Sequence, residues 1–201
     1  MMRKRVIQAG IGSLLLAALA VFGCAEPNSP GSDNVGNTGT VLRVYDIVPA
    51  DGAGLEGPGV DVALSFCLDG TTEDTGLFDV FATLTLENDS PGLGTAQNAN
   101  ITITSYEVQY IFVGGNPGAV NVPLPTHKAH LSIVVVRGGA VSQDILLLPV
   151  THKFLYTGGG GNVGVVTIYE AKITFYGVNE FGDEVKGTGW TYLEFLDWAT
   201  C

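Results

Sequence analysis

The sequence predicts an all-β domain, an antiparallel β-sandwich of about seven to nine strands, and three observations predict it. From Thr40 onward, β-rich segments follow one another, broken by turn residues every 8–15 positions. No stretch beyond residue 39 keeps a convincing 3.6-residue apolar period. Glycine is abundant, 28 in 201 residues, and only 14% of the chain is charged, which suits short strands joined by tight turns.

The first 39 residues stand apart from that pattern. Arg3-Lys4-Arg5 opens the chain, residues 6–22 are apolar and rich in Leu and Ala, and Gly23-Cys24 closes the run. A basic start, an apolar middle and a small residue before the cut are the parts of an export signal, so residues 1–23 are expected to be removed. The competing expectation is a membrane anchor. Residues 6–23 number 18, near the lower limit for a span, and include Gln8, Ser13 and three glycines. Residues 25–39 read AEPNSPGSDNVGNTG and have no apolar period, the text of a flexible tether. Fifteen such residues reach about 20 Å root-mean-square. The expected organisation is 1–23 signal, 24–39 linker and 40–201 sandwich domain.

Within the domain, residues 41–48 are β-rich and end at Pro49-Ala50-Asp51-Gly52. Residues 60–68 alternate, with Val60, Val62, Leu64 and Phe66 on one face and Asp61, Ala63, Ser65 and Cys67 on the other. Residues 78–86 form another strand. Residues 100–113 slip in phase: Ile101 and Ile103 are apolar on odd numbers, then Tyr106, Val108, Tyr110 and Phe112 on even ones. Such a slip predicts a β-bulge or a crossing between sheets. Residues 129–137 and 144–150 flank Gly138-Gly139 and read as a hairpin. Residues 164–177 carry Val165, Tyr169, Ile173 and Phe175 on the more apolar face, and 185–196 follow the loop Asn179-Glu180-Phe181-Gly182-Asp183. Residues 194–199 are compatible with one helical turn.

Val21-Phe22-Gly23-Cys24 resembles the lipobox of bacterial lipoproteins, although Phe22 stands where a small residue is usual. The resemblance implies a diacylglycerated Cys24, cleavage before it, and a membrane partner reached through lipid. Ala25, rather than Asp, after the cysteine implies the outer membrane. The segment from Ile103 to Tyr110, running through Gly114-Gly115-Asn116-Pro117-Gly118 to Pro125, is similar to uncharacterised β-sandwich lipoproteins of Gram-negative bacteria. The closing stretch, 171–177 through 182–185, is similar to their last hairpin and to bacterial Ig-like repeats. Together these cover about a third of the chain and imply an Ig-like architecture with no activity to carry over.

With Cys24 assigned to lipid, Cys67 and Cys201 remain, an even pair in an oxidising compartment. They read as one disulfide; a buried free Cys67 and a free Cys201 are the other expectation. Loss of residues 1–23 also removes three cations, leaving six Lys and Arg against 20 Asp and Glu, a net charge of −14. Such a surface repels nucleic acid and anionic headgroups, so no nucleic-acid partner is expected.

Candidate chemistry is sparse. His127, His130 and His152 would have to converge to hold zinc or copper, and on one strand His127 and His130 face opposite ways. Asp69, Glu73, Asp74 and Asp79 crowd a Gly/Thr-rich stretch that offers hard oxygens to calcium, but without EF-hand spacing. Trp190, Tyr192 and Trp198 form a candidate aromatic patch for a sugar or a partner, Trp190 and Tyr192 sharing one strand face. Gly158–Gly161 lacks the Lys-Ser/Thr of a phosphate loop and reads as a flexible connection, no G-x-S-x-G occurs, and no carboxylates are paired at a set spacing. The expectation is a non-enzymatic envelope protein without a cofactor, a structural or protein–protein interaction module. The alternative is a lipoprotein that binds a metal or a glycan.

Overall fold

The computed structural model describes residues 40–51, 57–62, 77–89 and 99–197, which carry eight strands and one helix. In chain order these are β1 (Val41–Asp51), β2 (Gly59–Asp61), β3 (Val80–Asp89), β4 (Ile101–Gly115), β5 (His127–Val135), β6 (Ala140–Leu148), α1 (Val150–Gly158), β7 (Thr167–Asn179) and β8 (Glu184–Leu196). They form two sheets, β1-β3-β6 and β2-β8-β7-β4-β5. The domain is therefore mostly β, as the alternating text demands. The inward rows of both sheets feed one core, with Leu42, Leu84 and Leu147 from the smaller sheet and Ile103, Phe175 and Phe195 from the larger.

Bulges in β1 and β4 help set the phase of this core. In β1 the register to β3 shifts between Tyr45 and Val48, with Asp46 at a φ of 52°. Leu42 and Val44 face inward before the bulge and Ile47 packs on the core after it. In β4 the register to both β5 and β7 shifts between Ile103 and Ser105. Ile101 and Ile103, then Tyr106 and Val108, are all buried, so the phase slip in the sequence is a β-bulge. Strand β8 carries Gly187 and Gly189 where β1 crosses it. A Cβ at Gly187 would sit 2.7 Å from Leu42 Cγ, and one at Gly189 2.7 Å from Ile47 Cδ1. The missing side chains let the two sheets approach closely along this line.

Three expectations change in the sheets. The pairing is not wholly antiparallel: β2 runs parallel to β8, Val60 opposite Phe195. A parallel pair needs a long connection, and the chain between them supplies one. Residues 129–137 and 144–150 are not a paired hairpin, because β5 belongs to the larger sheet and β6 to the smaller. The turn between them is tied to β3 instead: Gly138 N–H donates to the Asn88 carbonyl (3.1 Å) and Asn88 N–H to the Gly139 carbonyl (3.0 Å). Residues 194–196 continue β8 and make no helical turn.

Helix α1 lies where no helical period was legible. Its buried residues are His152, Lys153 and Tyr156, while Phe154 and Leu155 are exposed, so the apolar pattern is inverted. The Tyr156 hydroxyl donates to Thr167 Oγ1 at 2.9 Å. The glycine run is part of this helix end and not a free connection: Gly159, Gly160 and Gly161 N–H groups take the carbonyls of Leu155, Thr157 and Tyr156.

Candidate functional site

Two places gather chemistry-bearing side chains. The first is the N-terminal turn of α1. His127 opens β5 opposite Val108, on the inward parity of Ala129 and Leu131. His152 enters from α1 and is buried. The two imidazole centroids stand 6.5 Å apart, with Tyr106 5.9 Å from His127 and Tyr110 5.3 Å from His152. His127 Nε2 and His152 Nδ1 are buried without a hydrogen-bond partner. Burial pushes the His127 pKa below its usual value, against the pull of the Asp79 carboxylate. Burial also lowers that of His152, and the neighbouring His127 lowers it further. At neutral pH both rings are therefore uncharged.

Asp79 plays a defined part here. Its Oδ1 accepts the N–H of Val150, the first residue of α1, at 2.7 Å. A carboxylate at a helix start satisfies an otherwise orphaned donor and complements the helix dipole. The neighbouring tyrosines tie the sheets together. Leu147 is an extra residue in β6, since Val80 pairs with Leu148 but Phe81 with Leu146. Tyr106 OH donates to the Leu146 carbonyl and accepts the Leu146 N–H, both at 3.1 Å, and Tyr110 OH donates to the Leu147 carbonyl at 2.7 Å. Burial raises both phenol pKa values. His130 points the other way, exposed on the outer face opposite Ser105. The structure thus unites His127, His152 and Asp79 at one end and leaves His130 apart. Among the described residues, no three of His, Cys, Asp and Glu gather as a metal site.

The second place is the outer face of the larger sheet. Trp190 and Tyr192 share it, 40% and 53% exposed. Across the strands, Trp190 pairs with Lys172 and Lys172 with Gln109, while Tyr192 pairs with Glu170 and Glu170 with Ile111. Ile111 and Val113 are also exposed, which sequence reasoning did not single out. The signal was present: Tyr110-Ile111-Phe112-Val113 is apolar at four consecutive positions, and a strand shows such a run on both faces. Lys128 Nζ lies 3.0 Å from the Glu107 carboxylate on the same face and, by its hydrogen bond, holds that carboxyl below the ordinary range.

Cys24, Cys67, Cys201, Asp69, Glu73, Asp74 and Trp198 lie outside the described residues. No helix of the described residues is long and apolar enough to cross a membrane. Compared with protein-family models, curated proteins and solved structures, the chain finds no match.

Proposed function

We propose that this chain is a non-enzymatic lipoprotein of the cell envelope, held on the outer membrane by acyl chains on Cys24, with an Ig-like sandwich domain that engages an envelope protein. In this reading residues 1–23 direct export, 24–39 are the tether and 40–201 the interaction module. The observation that carries it is the outer face of the larger sheet, where Trp190 and Tyr192 on β8 and Ile111 and Val113 on β4 are exposed on either side of β7. Exposed aromatic and aliphatic side chains on one sheet face, set among Glu170 and Lys172, suit a protein contact better than open water.

Charge supports the same face. Lys128, Lys172 and Lys186 are three of the six cations after residue 23, and they alternate outward with Glu107, Glu170, Glu184 and Glu194. With Asp61, which shares their parity on β2, the described strand residues of this face net −2 while residues 24–201 net −14. A partner meets little long-range repulsion there.

The test is a photoreactive amino acid placed at Tyr192 in the full chain within the envelope, with Ser142 on the other sheet as control. A discrete protein adduct from position 192, absent from 142 and lost with Trp190→Ala, is the expected result. Equal labelling at both positions, or none, overturns the reading. A second reading, glycan binding, is favoured by the spacing of Trp190 and Tyr192, two residues apart on one strand face beside Lys172 and Glu170. It predicts that soluble oligosaccharides raise the melting temperature and that Trp190→Ala abolishes the rise.

A further inference from the structure

One end of the domain is stitched by three asparagines. Asn88, buried at the end of β3, donates its side-chain amide to the carbonyls of Ala99 (2.8 Å) and Val135 (3.3 Å). Asn100 donates to the Glu180 carboxylate and accepts the Arg137 N–H at 2.9 Å, joining the β7–β8 turn to the β5–β6 turn. Asn179 closes the β7–β8 turn, its Oδ1 accepting the N–H groups of Phe181 and Asp183, both at 2.9 Å. These bonds hold two turns side by side as one rigid rim.

That rim presents apolar side chains to the outside. Phe181, at the tip of its turn, is 66% exposed, and Val136 and Val134 are 57% and 56% exposed. Val178 adds to them across Thr102, which pairs with both Val178 and Val134. The rim is also where the chain enters the fold: Val41, the first residue of β1, pairs with Asp89, the last of β3. Helix α1 is at the far end, since Val80, the first residue of β3, pairs with Leu148 just before it. The 10 residues of β3 put the two ends about 30 Å apart.

We infer that this rim is a second membrane contact, in which Phe181 and Val136 enter the headgroup boundary of a zwitterionic bilayer. The inference rests on the proposed lipid anchor at Cys24. Fifteen residues separate Cys24 from Thr40, a reach of about 20 Å. Anchored that way, the entry rim faces the lipid and α1 faces away. A partly exposed Phe at a turn tip suits that boundary, where an apolar side chain leaves water at little backbone cost. Glu180, Asp183 and Asp89 lie at the same end beside Arg137 and Arg43, which pairs with Asp89, a net of −1 that suits uncharged headgroups better than anionic ones.

The test uses the full chain, isolated with its native modification and reconstituted in vesicles of phosphatidylcholine and phosphatidylethanolamine. Benzoylphenylalanine replaces Phe181 or, as control, Leu155 on α1; both sites are exposed, so the fold tolerates it. After irradiation, mass spectrometry reads lipid adducts at the labelled site and the acyl mass on Cys24. Adducts at 181 should exceed those at 155 at least fivefold. Equal adducts on an acylated protein overturn this inference alone. A Cys24 without lipid overturns it together with the lipoprotein reading.

Discussion

The hydroxyl of Tyr169 holds both backbone groups of Val122: it donates to the carbonyl at 2.8 Å and accepts the N–H at 2.9 Å. Val122 lies between β4 and β5, outside any strand ladder, and is buried. Its backbone therefore depends on that one side chain. Tyr169→Phe leaves both groups unmet and should cost about 1–3 kcal/mol, read by urea denaturation with an unchanged m-value. Tyr106→Phe, which strips Leu146 in the same way, should behave alike. A loss below about 0.5 kcal/mol in both would show that water replaces the phenols.

Gly187→Val tests the close crossing of β1 over β8. The new side chain collides with Leu42, and overpacking of this kind costs about 1–3 kcal/mol or more. Gly182→Val lies in an exposed turn with a φ of +84°, so its cost is backbone strain and not collision. Adding Leu42→Ala to Gly187→Val should recover part of the loss, whereas the same change beside Gly182→Val should only add to it.

The buried histidines predict a definite pH dependence. Both have folded pKa values below the unfolded value of about 6.5. The unfolded chain therefore binds protons first as pH falls. The stability this pair contributes is complete above about pH 6.5 and declines as pH drops below it toward the folded pKa values. Melting temperatures from pH 8 to 5 should fall on the acid side, and His152→Phe should flatten the curve. A flat wild-type profile over that range would contradict the assignment.

The parallel pairing of β2 with β8 bears on the two cysteines expected to pair. Asp61 sits opposite Leu196, and both strands run in the same direction. Cys67 follows six residues after the first and Cys201 five after the second. The two cysteines thus stand at similar distances along the chain from one strand pairing. Unreduced, unfolded protein should show no titratable thiol at either position, and Cys201→Ser should lower stability by about 2–4 kcal/mol. Two free thiols would refute the bond.

Cys24→Ser tests the anchor directly. The variant should accumulate uncleaved or leave the membrane fraction. Normal cleavage with unchanged partition into detergent would sink the lipoprotein reading.

Sequence made some of this architecture readable and hid the rest for physical reasons. The bulge at Ile103–Ser105 was visible because a buried strand cannot change parity without one. Trp190 and Tyr192 were visible as neighbours because strand period is fixed at two. Helix α1 was not, since it buries His152, Lys153 and Tyr156 and exposes Phe154 and Leu155. Hydrophobic periodicity reads such a helix inside out. The Gly138-Gly139 turn looked like a hairpin because a tight turn and a crossing between sheets use the same residues. Its partner, Asn88, is some fifty positions earlier and leaves no local trace. The meeting of Asp79, His127 and His152 was equally hidden, because three separate elements deliver them.

The place of β8 reverses the order in which the chain is made. It is the last strand synthesised among the described residues, yet it sits between β2 and β7. A nascent chain that stops at Asn179 has, among the described residues, no strand to pair with β2 and an open edge on β7. Residues 59–61 must wait for residues 194–196 before the larger sheet is complete. Pairings so distant along the chain form slowly and late. The larger sheet therefore cannot close around β2 until residues 194–196 have been made, so its assembly waits on the last described strand.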